Sequence, residues 1–181
     1  MIKIQTLLTT TVLLVGISGS VIADKKDGWD AYAQGEYKTV FNEYEPLAEQ
    51  GDALAQYILG VMYSNGKGVL KDDKEAVKWY LKAAEQGNAK AQFNLGLMYD
   101  NSEGVLKDYK EAVKWYLKAA EQGQADAQLN LGLMYAKGQG VLKDLSKAKY
   151  WIKKAYENPD ASADLMELVI EAWNKLELWK Y

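Results

Sequence analysis

Any chemistry done by this chain has to be built from carboxylates, lysines, hydroxyls and amides. Asp and Glu number 25, all 22 basic side chains are lysines, and His and Cys are absent. Without imidazole or thiolate there is no Ser–His or Cys–His pair for acyl transfer. The same absence removes the usual zinc ligands. Without guanidinium there is no rigid fork for carboxylate or phosphate. Two carboxylates suffice to hydrolyse a glycosidic bond, so a cell-wall hydrolase is the one enzymatic reading left open. No spacing in the chain places a suitable pair in a cleft. Asp72-Asp73 precede a helix, where carboxylates belong in any case. The stretch DNSEGV at 100–105 faintly resembles a calcium loop, but it lacks the Gly at the sixth position and the distant Glu. The expectation is a protein that is not an enzyme and uses no cofactor and no metal.

The elements that would position these side chains are repeated. KEAVKWYLKAAEQG occurs at 74–87 and again at 110–123, an offset of 36 residues. The same offset relates GVLKD at Gly68, Gly104 and Gly140, and places Trp79, Trp115 and Trp151 in one column. A period of this length marks a solenoid, whose units bury their apolar faces only by stacking. The recurring tryptophans invite a cofactor or carbohydrate role, but packing between units explains them more simply.

The N-terminal segment reads differently. Lys3, an apolar run over Leu7–Ile17 and Val21-Ile22-Ala23 before Asp24 make a secretory signal, residues 1–23, cleaved after Ala23. The run falls short of the roughly 20 residues that a spanning helix needs, which argues against the alternative of an uncleaved anchor. No Cys follows to carry a lipid. Export is therefore expected, periplasmic or extracellular, with no stable membrane insertion afterwards. With Lys3 removed, 21 lysines face 25 acids, a net charge of −4. A mildly acidic chain with dispersed lysines does not track nucleic-acid phosphates. Without disulfides, stability must come from packing.

One unit, 52–87, shows the local logic. Apolar and small residues at helical spacing predict helix A from Ala53 to Ser64. Asn65-Gly66-Lys67-Gly68 ends it. Val69 and Leu70 are apolar loop residues expected to tuck beneath the helix pair. Asp72 offers an N-cap, with Glu75 three residues on, close to a capping box. Helix B follows over 73–86, with Gly87 at its end. Lys78/Lys82 and Lys114/Lys118 read as a solvated face. Gly60 recurs as Gly96 and Gly132, although Gly inside a helix costs about 1 kcal/mol against Ala. A repeated cost implies a closely crossing helix, with Ala83 and Ala84 the expected neighbours.

The pattern A.AQ..LG.MY followed by G.GV..D...A..WY.KAAEQG, as it stands at 53–87 and 89–123, resembles the Sel-one-like repeats, relatives of the tetratricopeptide repeat. The resemblance implies an all-α, right-handed superhelical solenoid of antiparallel helix pairs. It also implies scaffold work on a protein or peptide partner, without chemistry of its own. Units are then read at 52–87, 88–123 and 124–158, after a degenerate first unit at 24–51 that turns at Gly35. The third unit departs late, with Lys147 for the capping-box Glu and Asn158-Pro159 for Gln-Gly. Residues 159–181 read as a C-terminal capping helix in which Leu168 takes the Gly132 column.

Comparing the copies separates two stripes on helix A. Ala53, Ala55, Gln56, Leu59, Gly60, Met62 and Tyr63 keep their identity from unit to unit. Columns 54, 57, 58, 61 and 64 vary, and they share one helical face. The A helices of such solenoids line the concave groove. Tyr57, Ile58, Lys90, Asn94, Asp126 and Asn130 are therefore the candidate partner-binding residues. Columns 57 and 61 are apolar in every copy and have the competing reading of packing one A helix on the next. The asparagines both donate and accept, which suits a peptide backbone. A secreted factor that engages a host protein would use the same surface.

Overall fold

A computed structural model describes residues 35–180, and the signal, Trp29 and the start of the degenerate unit lie outside that range. Eight α-helices follow: α1 Tyr37–Glu49, α2 Ala53–Asn65, α3 Asp73–Glu85, α4 Ala89–Asn101, α5 Tyr109–Glu121, α6 Ala125–Lys137, α7 Leu145–Tyr156 and α8 Ala163–Lys175. A 3-10 turn, Leu178–Lys180, ends the described chain. No strand occurs among the described residues.

The boundaries follow from capping chemistry. Asp52, Asn88 and Gln124 cap the A helices α2, α4 and α6, each side chain accepting from a first-turn amide. Helix α2 closes at Gly66 and α6 at Gly138, both left-handed; in α4 the same conformation falls on Ser102. The B helices α3, α5 and α7 start at Asp72, Asp108 and Asp144. Asp72 accepts from Lys74 N at 2.9 Å and Glu75 N at 3.1 Å. The expected capping box is only half made. The Asp72 amide donates instead to the Tyr63 carbonyl at 3.0 Å, closing the hairpin, and Glu75 pairs with Lys78 at 3.0 Å.

Each helix packs antiparallel on the next, and the A helices also meet across units, α2 against α4 and α6 against α8. Among the described residues no pair of B helices makes a comparable contact. This asymmetry curves the stack, with helices A inside and helices B outside. The result is a right-handed superhelical solenoid whose core is a series of slabs between successive hairpins. Val40, Tyr44, Leu59 and Met62 build one slab, Ala76, Tyr80, Leu95 and Met98 the next, and Ala112, Tyr116, Leu131 and Met134 a third.

The central glycines do mark close crossings, but the neighbour is not Ala83 or Ala84. A Cβ on Gly60 would run into the Tyr80 ring. On Gly96 it would lie 2.6 Å from Tyr116 Cδ1, and on Gly132 2.5 Å from Ile152 Cγ1. Helix B lays a flat ring, or in the last unit an isoleucine, across the glycine. Loop packing also departs from expectation. Val69 is half-buried, whereas Leu70, Leu106 and Leu142 stand 91%, 89% and 91% exposed. Gly68, Gly104 and Gly140 press the loop onto the start of the preceding B helix, so the valine turns inward and the adjacent leucine turns out.

Candidate functional site

The fixed glutamines are structural. Gln56, Gln92 and Gln128 are buried, and their amide groups donate to Ala48, Ala84 and Ala120 carbonyls at 3.0, 3.0 and 3.1 Å. Each accepts in turn from the end of its own unit: Gln86 onto Gln56 and Gln122 onto Gln92, both at 2.7 Å. In the third unit Asn158 reaches Gln128 at 3.1 Å and the Gly123 carbonyl at 2.7 Å. The departure at Asn158 therefore preserves the bond with a shorter side chain. These staples tie every hairpin to its predecessor and supply polar order without disulfides.

The varying stripe divides. Tyr57 and Val61 pack into the slab below α4, Phe93 and Leu97 into that below α6, and Leu129 and Leu133 into the last. The apolar columns thus stack A on A. Ile58 is 5% exposed in the first core and presents no surface to a partner. Its neighbours Val40 and Tyr44 cover it, because the first unit places an apolar side chain where the later units carry asparagine. Lys90 is exposed, and Asn94, Asp126 and Asn130 are half-buried.

Asn94 lines a groove of about 300 Å³ between α2 and α4, together with Tyr57, Val61, Ser64, Tyr80 and Leu97. The tyrosines of helix B reach this inner face by passing over the glycines. Their rings lie 6.1 Å from Tyr57 in one unit and 5.9 Å from Phe93 in the next. The Tyr116 hydroxyl is buried beside Asn130 and Asp100 without a well-formed hydrogen bond to either. Burial first, then the charge of Asp100, hold that hydroxyl protonated far above the usual tyrosine range, against a smaller opposing pull from Asn130. A phenol so protected is no general base near neutral pH.

Two units therefore share a polar inner patch, Ser64–Tyr80–Asn94 and Asp100–Tyr116–Asn130, and the third unit ends it with Ala136 and Ile152. The helix-B tyrosines are the residues that comparing A helices alone could not find. Their signal was the bulky column facing each glycine. Among the described residues no group of three acidic side chains could hold a metal, and DNSEGV is a helix end in which Ser102 Oγ donates to the Val105 carbonyl at 3.2 Å. The lysine face is not simply solvated. Lys78 and Lys82 flank the Trp79 ring, with ammonium groups 5.9 and 4.1 Å from its centre, and Lys114 and Lys118 do the same at Trp115.

The Sel1 repeat family model matches residues 53–88, 89–124 and 125–160. The chain belongs to the Sel1 repeat family. Proteins built from these repeats are in general protein-interaction scaffolds. A search of curated proteins finds no match. Among solved structures the chain is similar to a Sel1 repeat protein from Oxalobacter formigenes, 38% identical with a TM-score of 0.74 over 85% of this chain and 60% of that one. It is also similar to a protective antigen of uropathogenic Escherichia coli strains displaying an SLR fold, 38% identical with a TM-score of 0.76 over 88% of this chain and 33% of the other. The cysteine rich protein B of Helicobacter pylori is 25% identical with a TM-score of 0.54, over 80% of this chain and 96% of that one. The chain thus spans less than two thirds of the first two structures. These Sel1 units contain no cysteine, so packing and the glutamine staples hold them together.

Proposed function

We propose that this Sel1 repeat chain is an exported, non-catalytic scaffold that captures a protein or peptide partner on its inner face. The observation that carries the proposal is the groove at Asn94, where amide, hydroxyl and aromatic groups gather on a surface left uncovered by the stack. An extended peptide laid along it would exchange backbone hydrogen bonds with Asn94 and Asn130 and place apolar side chains against Tyr57 and Leu97. Lys90 and Asp126 would flank it with opposite charges. Export rests on Lys3, the apolar run and Ala23 in the sequence, and the periplasm is the compartment first proposed.

Cross-linking in cells followed by envelope pull-down tests the site. Retention of the captured partner should fall about tenfold when Asn94 and Asn130 are both changed to Ala, the loss of one to two net hydrogen bonds. Equal retention by the double variant removes the groove assignment. The second reading, a secreted factor acting on a host protein, is favoured by the likeness to the protective antigen. Recovery of the protein from culture medium rather than the envelope would select it.

A further inference from the structure

The end of helix α4 carries negative charge that the fold does not use. Asp100 lies in its last turn and Glu103 in the loop that follows. In the column of Asp100 the other units carry Ser64 and Ala136, and in the column of Glu103 they carry Lys67 and Gln139. The repeat therefore needs neither acid. Electrostatics opposes them as well, because a helix C-terminus is the negative end of the macrodipole and favours cations. Helix α6 supplies one in Lys137, whereas the last turn of α4 has no basic residue. Glu103 accepts from the Asn101 side chain at 3.4 Å, but neither carboxylate enters an ion pair among the described residues. Lys107, the nearest lysine along the chain, lies over the Tyr109 ring. Lys90 stands at the opposite end of α4, roughly 15 Å away along the helix.

Both acids border the inner face. Among the described residues Glu103 is the one charged side chain that lines the groove at Asn94, and Tyr57, Val61, Tyr80 and Leu97 form its apolar walls. Asp100 stands on the next stretch of the same face, beside Asn130 and Tyr116. The Tyr116 hydroxyl is buried there without a well-formed hydrogen bond. Behind burial, the charges of Asp100 and Glu103 both hold its proton, and no lysine charge opposes them, so the two carboxylates act on one spot. We infer that the partner segment held in this groove carries a lysine or arginine, whose cation pairs with Asp100 and Glu103 at the end of α4. The inference rests on the proposed use of the groove and names the chemistry of its occupant. The rest of the lining suits such a side chain. Its aliphatic stem would lie along Val61 and Leu97. The Tyr57 and Tyr80 rings, with centres 6.1 Å apart, offer faces that attract a cation. An acidic segment would instead meet two like charges and the carbonyl end of a helix.

Panning a random-peptide display library on the immobilised full chain tests this. The selected peptides should share a lysine or arginine flanked by apolar residues. One such peptide should bind the Asp100→Asn/Glu103→Gln variant about three- to tenfold more weakly, the loss of two partly screened ion pairs. It should bind Glu85→Gln/Glu121→Gln unchanged, a control that removes the same charge at exposed positions ending α3 and α5. Asp100→Asn should leave the thermal midpoint equal or higher, since it takes an anion from the negative end of a helix. A lower midpoint with unchanged binding would make Asp100 a structural residue and overturn the assignment. Basic peptides weakened as much by the control pair would show diffuse attraction to an acidic chain and overturn it too. Apolar peptides with no basic position, weakened by Asn94→Ala/Asn130→Ala, would keep the groove and overturn the cation alone. Peptides held equally by that asparagine variant, or no selection above background, would overturn the groove reading and the cation with it.

Discussion

Replacing Gly96 with Ala ought to stabilise an ordinary helix, because Ala is favoured over Gly by about 1 kcal/mol in a helix interior. Here the expected sign is opposite. The new methyl would stand 2.6 and 2.7 Å from Tyr116 Cδ1 and Cε1, where ordinary carbon contacts lie at about 3.5–4.0 Å. The ring must therefore retreat by about 1 Å. It has nowhere to go. Tyr116 is fully buried, Phe93 lies 5.9 Å away across the ring, and its hydroxyl is hemmed by Asp100 and Asn130. Overpacking of this kind costs about 1–3 kcal/mol. Subtracting the propensity gain leaves a net loss of up to about 2 kcal/mol, or up to roughly 4–8 °C in midpoint for a chain of this size. Thermal unfolding followed by circular dichroism measures it. Tyr116→Leu makes room, so the same Gly96→Ala change in that background should be much less costly, a coupling read from the double-mutant cycle. A Gly96→Ala variant that melts higher than the parent, with no coupling to position 116, would refute the close-crossing explanation of the glycine column.

Three further outcomes are expected. Gln92→Leu removes one of two donors to the Ala84 carbonyl, which the Gly87 amide still reaches at 3.1 Å, and breaks the 2.7 Å bond from Gln122, so urea titration should show a loss of about 1–3 kcal/mol for the two bonds. Changing Leu70, Leu106 and Leu142 together to Ser should leave the unfolding midpoint within about 0.5 kcal/mol per site, because surface substitutions away from packing features are near neutral; a large loss would mean that the leucines are covered. The Tyr44 hydroxyl is pushed up to about 12 by burial, with Glu43 and Asp52 adding to it, from a usual value of 10.0. Folded and unfolded chains then bind this proton equally below the unfolded value, and above it the unfolded chain releases the proton first. The contribution is therefore fully present below about pH 10 and lost as pH rises toward 12, and Tyr44→Phe should flatten that part of the urea midpoint against pH.

Much of the architecture can be read from the sequence because it is local and repeated. The 36-residue period, the Asp and Asn caps and the glycines after helices state where each helix begins and ends, and they do so several times over. The glycine column announced a close contact for the same reason. What it could not announce was the partner, because Ala83, Ala84 and Tyr80 all lie on the inward face of helix B, and only the crossing geometry selects among them. The exposure of Leu70 is a similar case. Neighbouring loop residues point opposite ways, and the choice falls to the glycine contact with the preceding unit.

The candidate site was legible only as a stripe. Variation between copies marks a face but does not separate side chains covered by the next hairpin from side chains open to a groove, so Ile58 and Asn94 occupy one column with different fates. The shift of Ile170, rather than Leu168, into the glycine column of α8 was hidden by a two-residue lengthening of a loop that has no periodic signal, since Ser162 caps that helix where Gln124 caps α6. The sequence alone determined the hairpin, its period and its chemistry, since those depend on residues within a few helical turns of one another. Stacking decided which faces meet water, because burial is a property of neighbours a whole unit away.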